Sequence, residues 1–330
     1  MLSWLLQTPK SSPNEQSSRE MNQIKLSKKI SLTANPTLHH TILWTALITP
    51  LLDDGQIDFP SLKQLAISQS DAGNGIVLLG STGEGLALTS QEQVKIVEFV
   101  CQLSLSAPLM VAVGGYQLTE QINWITACNK LPISAYLLGS PIYAKPGVIG
   151  QTQWFSALLD AANFPCMLYN VPSRSGVSIA IETLQTVQNH QHCWALKEAS
   201  GDLNQVLAYR QYCPDIALYS GEDAMMPYLA QAGVKGLVSV CSNVWPAATH
   251  QYVELSLAGE TQGLFPLWQN AVDELFQVAS PIPVKVLMHQ NKMINTPFLR
   301  APLTHLELND CNSLLASDKL INQWLETQAK

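Results

Sequence analysis

A lysine at the inner end of an apolar run is the residue of this chain best placed to do chemistry by itself. Lys197 follows Cys193-Trp194-Ala195-Leu196 and precedes Glu198-Ala199-Ser200-Gly201-Asp202, which reads as a turn into a helix. Burying a lysine there costs its ammonium ion hydration, so such a placement calls for a reason. A free amine attacks a ketone to form a Schiff base. On position alone, a lysine that merely reaches solvent from a strand end is the commoner case. The company Lys197 keeps therefore decides.

That company is polar and falls where other apolar runs stop. Gly80-Ser81-Thr82-Gly83-Glu84-Gly85 is a turn whose backbone N–H groups can face an anion such as a carboxylate, although such turns are also ordinary exits from strands. In Tyr169-Asn170-Val171-Pro172-Ser173-Arg174-Ser175-Gly176, Tyr169 offers a proton relay and Arg174 a guanidinium that grips a carboxylate through two parallel hydrogen bonds. Gly139-Ser140-Pro141-Ile142-Tyr143 and Ser220-Gly221-Glu222-Asp223 complete the set. No histidine is placed as a general base: His39 and His40 precede the first apolar run, and His190 and His192 flank a helix end. No strand-end cluster of metal ligands is evident. The expected chemistry is organic, an amine nucleophile with a tyrosine relay, with neither metal nor cofactor.

The elements that must carry these residues follow from periodicity. Short apolar runs at 42–48, 75–79, 109–113, 133–138, 165–171, 193–196, 216–219 and 236–240 each precede a longer segment with helical spacing. Continuous apolar strands indicate a sheet buried on both faces, and each interval has room for the helix of a right-handed parallel crossover. Eight such units predict an α/β fold, a (β/α)8 TIM barrel spanning 37–245. An open doubly wound sheet is the alternative, but no G-x-G-x-x-G follows the first strand. The remainder, 246–330, reads as a helical appendage. In a barrel, chemistry gathers at the C-terminal ends of the strands, where all the residues above would meet.

Composition narrows the class further. Of 330 residues, 47% are hydrophobic and 13% charged, enough apolar material for a large core. The net charge of −7 carries no block of like sign, so neither nucleic acid nor an anionic membrane is an expected partner. No apolar stretch is long enough to span a bilayer. The seven cysteines are scattered without C-x-x-C spacing, which argues against a disulfide framework and for a reducing, cytoplasmic setting. Residues 1–36 are polar and turn-prone, expected to be a disordered extension or a start upstream of a true one at Met21. A plastid transit peptide is the lesser reading, because Glu15 and Glu20 break its acid-poor pattern.

Taken in order, the Gly80–Glu84, Tyr169–Gly176, Leu196–Asp202 and Ser220–Asp223 motifs resemble the pyruvate-dependent class I aldolase family, in particular its dihydrodipicolinate synthase branch. Ser280-Pro281-Ile282-Pro283-Val284-Lys285 is similar to that family's C-terminal region, and the resemblance covers about residues 41–305. It implies that Lys197 forms a Schiff base with pyruvate, whose enamine attacks L-aspartate 4-semialdehyde to give 4-hydroxy-tetrahydrodipicolinate, for diaminopimelate and lysine biosynthesis. Tyr169 would relay protons, Thr82 and Ser81 would hold the pyruvate carboxylate, and Arg174, Gly221 and Val238 would line the substrate site. Tyr143 matches a tyrosine that completes the relay of the neighbouring subunit, which implies a homodimer or homotetramer. N-acetylneuraminate lyase shares the lysine and tyrosine, and Ser81-Thr82 resembles its turn. Arg174, where the lyase commonly has an apolar residue, favours the synthase. An inactive binding barrel would lack these groups. At the family's inhibitory lysine site, Ile142, Tyr116 and Gln93 replace the usual polar ligands and only Glu120 is retained, which implies weak or absent feedback.

Overall fold

Eight short strands whose residues are apolar on both faces cannot leave either face in water, and here they close on themselves. The computed structural model describes residues 36–328. Its strands are β1 (Leu43–Ala46), β2 (Gly75–Leu78), β3 (Leu109–Val113), β4 (Ala135–Gly139), β5 (Cys166–Asn170), β6 (Cys193–Glu198), β7 (Ala217–Ser220) and β8 (Leu237–Ser239). Each pairs in parallel with its neighbour in sequence, and β1 also pairs with β8, so the barrel is closed and the open-sheet alternative is excluded. All eight expected strands are present, with ends that differ by at most two residues: most are shorter, while β4, β6 and β7 run one or two residues further. One difference matters: β6 runs past Lys197 to Glu198, so the lysine sits within the ladder.

The helices between strands are α2 (Phe59–Asp71), α3 (Ser90–Gln102), α4 (Leu118–Cys128), α5 (Val148–Ala161), the short pair α6 (Pro172–Ser175) and α7 (Ile181–Val187), α8 (Leu203–Tyr212) and α9 (Met226–Gln231). Local sequence starts several of them. Asp58 caps α2 by accepting from the Ser61 N–H at 3.1 Å, with Pro60 in the first turn where no donor is needed. Thr89 and Glu92 form a reciprocal capping box on α3.

Two apolar bodies result. Outside the strands, residues such as Leu196 and Leu218 are fully buried under the helices, and each contributes roughly 1.5–3 kcal/mol by leaving water. Inside the barrel, Trp44, Met110, Met167, Ala195 and Val238 fill the lumen. Its N-terminal end is closed by α1 (Pro36–His40), whose Leu38 joins the lumen cluster, and by Trp194, edge-on to both Trp44 and His39. Only the C-terminal end is left for chemistry. The expectation for residues 1–36 lies outside the described residues but for Pro36.

After β8, α10 (Pro246–Ala258) packs on β1 and α9 as the eighth helix of the barrel. Then come α11 (Leu264–Leu275), α12 (Ile282–Gln290) and α13 (Asn312–Gln328). Leu264, Trp268, Ala271 and Leu275 put one buried face on α11 at helical spacing. Trp268 stacks on Tyr252 of α10, ring centres 4.2 Å apart, and meets Trp245 and Trp324 edge-on. The appendage is thereby fastened to the barrel wall.

Candidate active site

Residues two apart on a strand share a face, so the lumen-filling Met167 and Ala195 predict that Tyr169 and Lys197 also point inward, one layer nearer the open end. Tyr169 and Lys197 are direct Cα partners across β5 and β6, and Lys197 is in turn partnered by Tyr219 across β7. The Lys197 Nζ lies 4.3 Å from the centre of the Tyr169 ring, and the residue is 6% exposed. Among the described residues it has no carboxylate partner and no hydrogen bond. A buried amine against a π face, outside ion-pair contact with any described carboxylate, is of the kind that can add to a carbonyl.

The space for that side chain depends on Gly221. A Cβ there would lie 2.8 Å from the Lys197 Cε and 2.5 Å from the Ala199 Cβ, well inside contact distance. The Gly221 N–H donates to the Glu198 carbonyl at 2.7 Å, tying the end of β7 to β6.

The Ser81–Thr82 turn leaves β2 at the same end. It is folded tightly on itself: the Glu84 N–H donates to the Ser81 carbonyl and the Gly85 N–H to that of Gly80, both at 3.1 Å. Gly85 is required because a Cβ would sit 2.0 Å from the Leu79 carbonyl oxygen. The Thr49 hydroxyl holds the turn from the loop after β1 by donating to the Gly83 carbonyl at 2.7 Å. Thr82 is 4% exposed while Ser81 faces solvent, and neither hydroxyl has a partner among the described residues.

The other predicted residues are distributed differently. Val238 is a fully buried part of the lumen cluster, in register with Trp44. Arg174 is exposed in α6, its guanidinium unpaired among the described residues. Tyr143 is 90% exposed on a left-handed backbone, φ 69°, with nothing among the described residues over it. The structure thus brings Lys197, Tyr169 and Gly221 together, and sets the turn, Arg174 and Tyr143 on loops of the same barrel end.

Sequence reasoning missed the buried carboxylates behind this row. Glu198 accepts from the Asn170 amide at 2.6 Å and the Ser200 N–H at 2.7 Å, stitching β5 to β6. Burial raises its pKa despite those bonds. Asp223 accepts from the Ser239 hydroxyl and from the Val240 N–H at 3.1 Å, joining β7 to β8, and burial pushes it up as well. Glu222 is raised by burial and then by Asp223, with the Lys197 charge opposing. The signal was present in the side-by-side Glu222-Asp223 and in Glu198 next to the lysine, but spacing alone does not say which carboxylate turns inward.

The dihydrodipicolinate synthetase family profile matches residues 40–319. The 4-hydroxy-tetrahydrodipicolinate synthase of Francisella tularensis subsp. novicida is 48% identical over 86% of this chain and 96% of its own length. Among solved structures, the 4-hydroxy-tetrahydrodipicolinate synthase of Methylacidiphilum fumariolicum SolV superposes with a TM-score of 0.82 at 29% identity, covering 87% of this chain and 97% of that one. The chloride-inhibited dihydrodipicolinate synthase of Acinetobacter baumannii complexed with pyruvate gives 0.80 at 29% identity, covering 86% and 99%. The chain belongs to the dihydrodipicolinate synthetase family. It is a pyruvate-condensing synthase of diaminopimelate and lysine biosynthesis.

Proposed function

We propose that Lys197 is the amine that carries pyruvate through this condensation and that the surrounding residues divide the remaining work. The observation that carries the reading is the buried, unpaired Lys197 amine beside the Tyr169 ring at the open end of the barrel. The amine adds to the ketone of pyruvate and water leaves, giving an imine. A methyl proton then leaves, and the enamine carbon bonds to the aldehyde carbon of L-aspartate 4-semialdehyde, whose oxygen takes up a proton. The substrate's own amine attacks the imine carbon, closing the ring to 4-hydroxy-tetrahydrodipicolinate and releasing Lys197.

Tyr169 relays protons to and from the imine. The hydroxyl of Thr82 and the Ser81 backbone or hydroxyl hold the pyruvate carboxylate, Gly221 and Val238 shape its pocket, and Arg174 takes the semialdehyde carboxylate. The exposed Tyr143 completes the relay of a neighbouring subunit, so the working form is a homodimer or homotetramer. Seven free cysteines suit a reducing cytoplasm. Among the described residues no helix is long and apolar enough to cross a membrane.

Intact mass after pyruvate and borohydride, followed by peptide mapping, tests the reading. One reduced pyruvyl adduct on Lys197 supports it, and a folded protein without an adduct overturns it. Turnover with aspartate semialdehyde against N-acetylneuraminate then separates synthase from lyase. Lysine is expected to inhibit weakly or not at all, since Ile142 is apolar and the Gln93 amide is committed to the Gly85 and Leu88 carbonyls at 2.8 and 3.3 Å. Inhibition by submillimolar lysine would refute this.

A further inference from the structure

The deepest charge pair among the described residues lies behind the Ser81–Thr82 turn. Lys285, on α12, is fully buried, and its ammonium donates to one oxygen of the Glu84 carboxylate, which is nearly as deeply buried. The same ammonium donates to the Phe298 carbonyl at 3.0 Å, and the Arg300 backbone N–H donates to the other Glu84 oxygen at 2.7 Å. Both carboxylate oxygens of Glu84 are therefore held by the C-terminal segment, more than two hundred residues away in sequence. Glu84 itself sits on a left-handed backbone, φ 55°, which a non-glycine residue keeps only where its surroundings hold it.

The segment carrying Phe298 and Arg300 continues as a strap over the open end. Thr296 donates to the Leu51 carbonyl at 3.0 Å, the Asn295 amide to Asp58 at 2.7 Å, and the Arg300 guanidinium to the Gly55 carbonyl at 2.6 Å and Glu92 at 2.5 Å. The strap thus grips the loop after β1 and the start of α3, on either side of the turn. Burying a lysine and a glutamate together contributes little to stability relative to an apolar pair of the same size. Its gain is geometric, because two charge-assisted bonds and a strained backbone leave the turn one conformation. Burial lowers the Lys285 pKa and Glu84 opposes that shift, as a pair held out of water requires.

We propose that Glu84 and Lys285 are positioning residues for the first substrate: through the strap they fix the Ser81–Thr82 turn so that its donors meet the pyruvate carboxylate. This rests on the assignment of that turn to pyruvate given above. A displaced turn would slow capture of free pyruvate. It would matter less for the second half-reaction, in which pyruvate is already covalently held and the incoming semialdehyde is met by Arg174 on a different loop.

The test compares kcat/KM for each substrate in the full-length chain, since in a ping-pong reaction each ratio reports its own half. The variants are Lys285→Met, Glu84→Gln and the double variant, which removes both buried charges and so keeps the experiment alive if Lys285→Met fails to fold. Asp318→Asn, which weakens the 2.7 Å bond from Trp245 on the far wall, serves as a purely structural control. We expect kcat/KM for pyruvate to fall roughly 10- to 100-fold, as for any small misplacement of a binding group, and kcat/KM for the semialdehyde by at most about threefold. Borohydride trapping should slow in step with the pyruvate ratio. Folded variants with wild-type pyruvate kinetics, or with both ratios reduced equally as in the control, would overturn the proposal. Absence of any adduct in the wild-type protein would instead remove the assignment on which it rests, and that measurement comes first.

Discussion

The two sides of the open barrel end are built differently. On one, Tyr169 and Lys197 stand on β5 and β6 as ladder partners, with Gly221 one residue beyond β7, and buried carboxylates stitch the strands behind them. On the other, Ser81 and Thr82, Tyr143 and Arg174 stand on loops or a one-turn helix, and Tyr143 and Arg174 are exposed without a partner among the described residues. A strand in a closed barrel cannot shift without breaking ladders on both sides, so Tyr169 and Lys197, to which we assign the bond-making steps, are held by the fold itself. The loop residues, to which we assign recognition, have no such ladder, and at the Ser81–Thr82 turn a strap from the C-terminal segment supplies the order instead.

The sharpest way to break this contrast is on the strand side. Gly221→Ala places a methyl where the Lys197 side chain runs, at 2.8 Å from its Cε. The Ala199 Cβ, 2.5 Å away at the exit of β6, is fixed by the backbone, so the Lys197 side chain must swing from its place beside the Tyr169 ring to make room. We expect turnover to fall on the order of 10²-fold or more, with slow trapping by borohydride and a protein that stays folded. A Gly221→Ala enzyme with near wild-type turnover would show that the lysine has room the strand geometry denies it.

Arg174→Ala probes the loop side and should give a different signature. Losing a charged hydrogen-bond donor to a carboxylate costs roughly 10- to 100-fold, here in kcat/KM for the semialdehyde only. Adduct formation with pyruvate should proceed at the wild-type rate. If trapping were impaired as well, Arg174 would belong to the first half-reaction and the division of labour would be wrong.

How much of this was legible in advance follows the same divide. Lys197, Tyr169 and the glycine turn could be found because each ends an apolar run, and closing a parallel barrel brings all such ends to one side whatever the details of packing. The fold was readable for the same reason: eight runs with helical intervals admit few topologies. The pairing of Glu84 with Lys285 and of Glu92 with Arg300 was not readable, since no local period relates residues so far apart. Nor was the left-handed backbone at Tyr143, which no glycine announces.

The smallest expected effect concerns the strap. Burial raises the Glu92 carboxyl, but the hydrogen bonds from Thr89 and the Arg300 guanidinium, together with the charge of Arg300, outweigh it and hold the pKa below 4.5. A carboxyl whose folded pKa is depressed stabilises the folded state above its unfolded pKa, and that contribution disappears as pH falls through the folded value. Glu92→Gln keeps the capping box of α3, because glutamine serves at that position too, and removes only the charge. The pair is partly solvated, so the loss at neutral pH should be about 1 kcal/mol or less, a fall in Tm of about 1–3 °C. Once pH has fallen below the depressed folded pKa of Glu92, the variant and wild type should melt together. A difference that persisted in acid would mean that Glu92 acts through shape and not charge, and the strap's charged anchoring would then come from Glu84 and Lys285, beside its bonds to the Leu51 and Gly55 carbonyls.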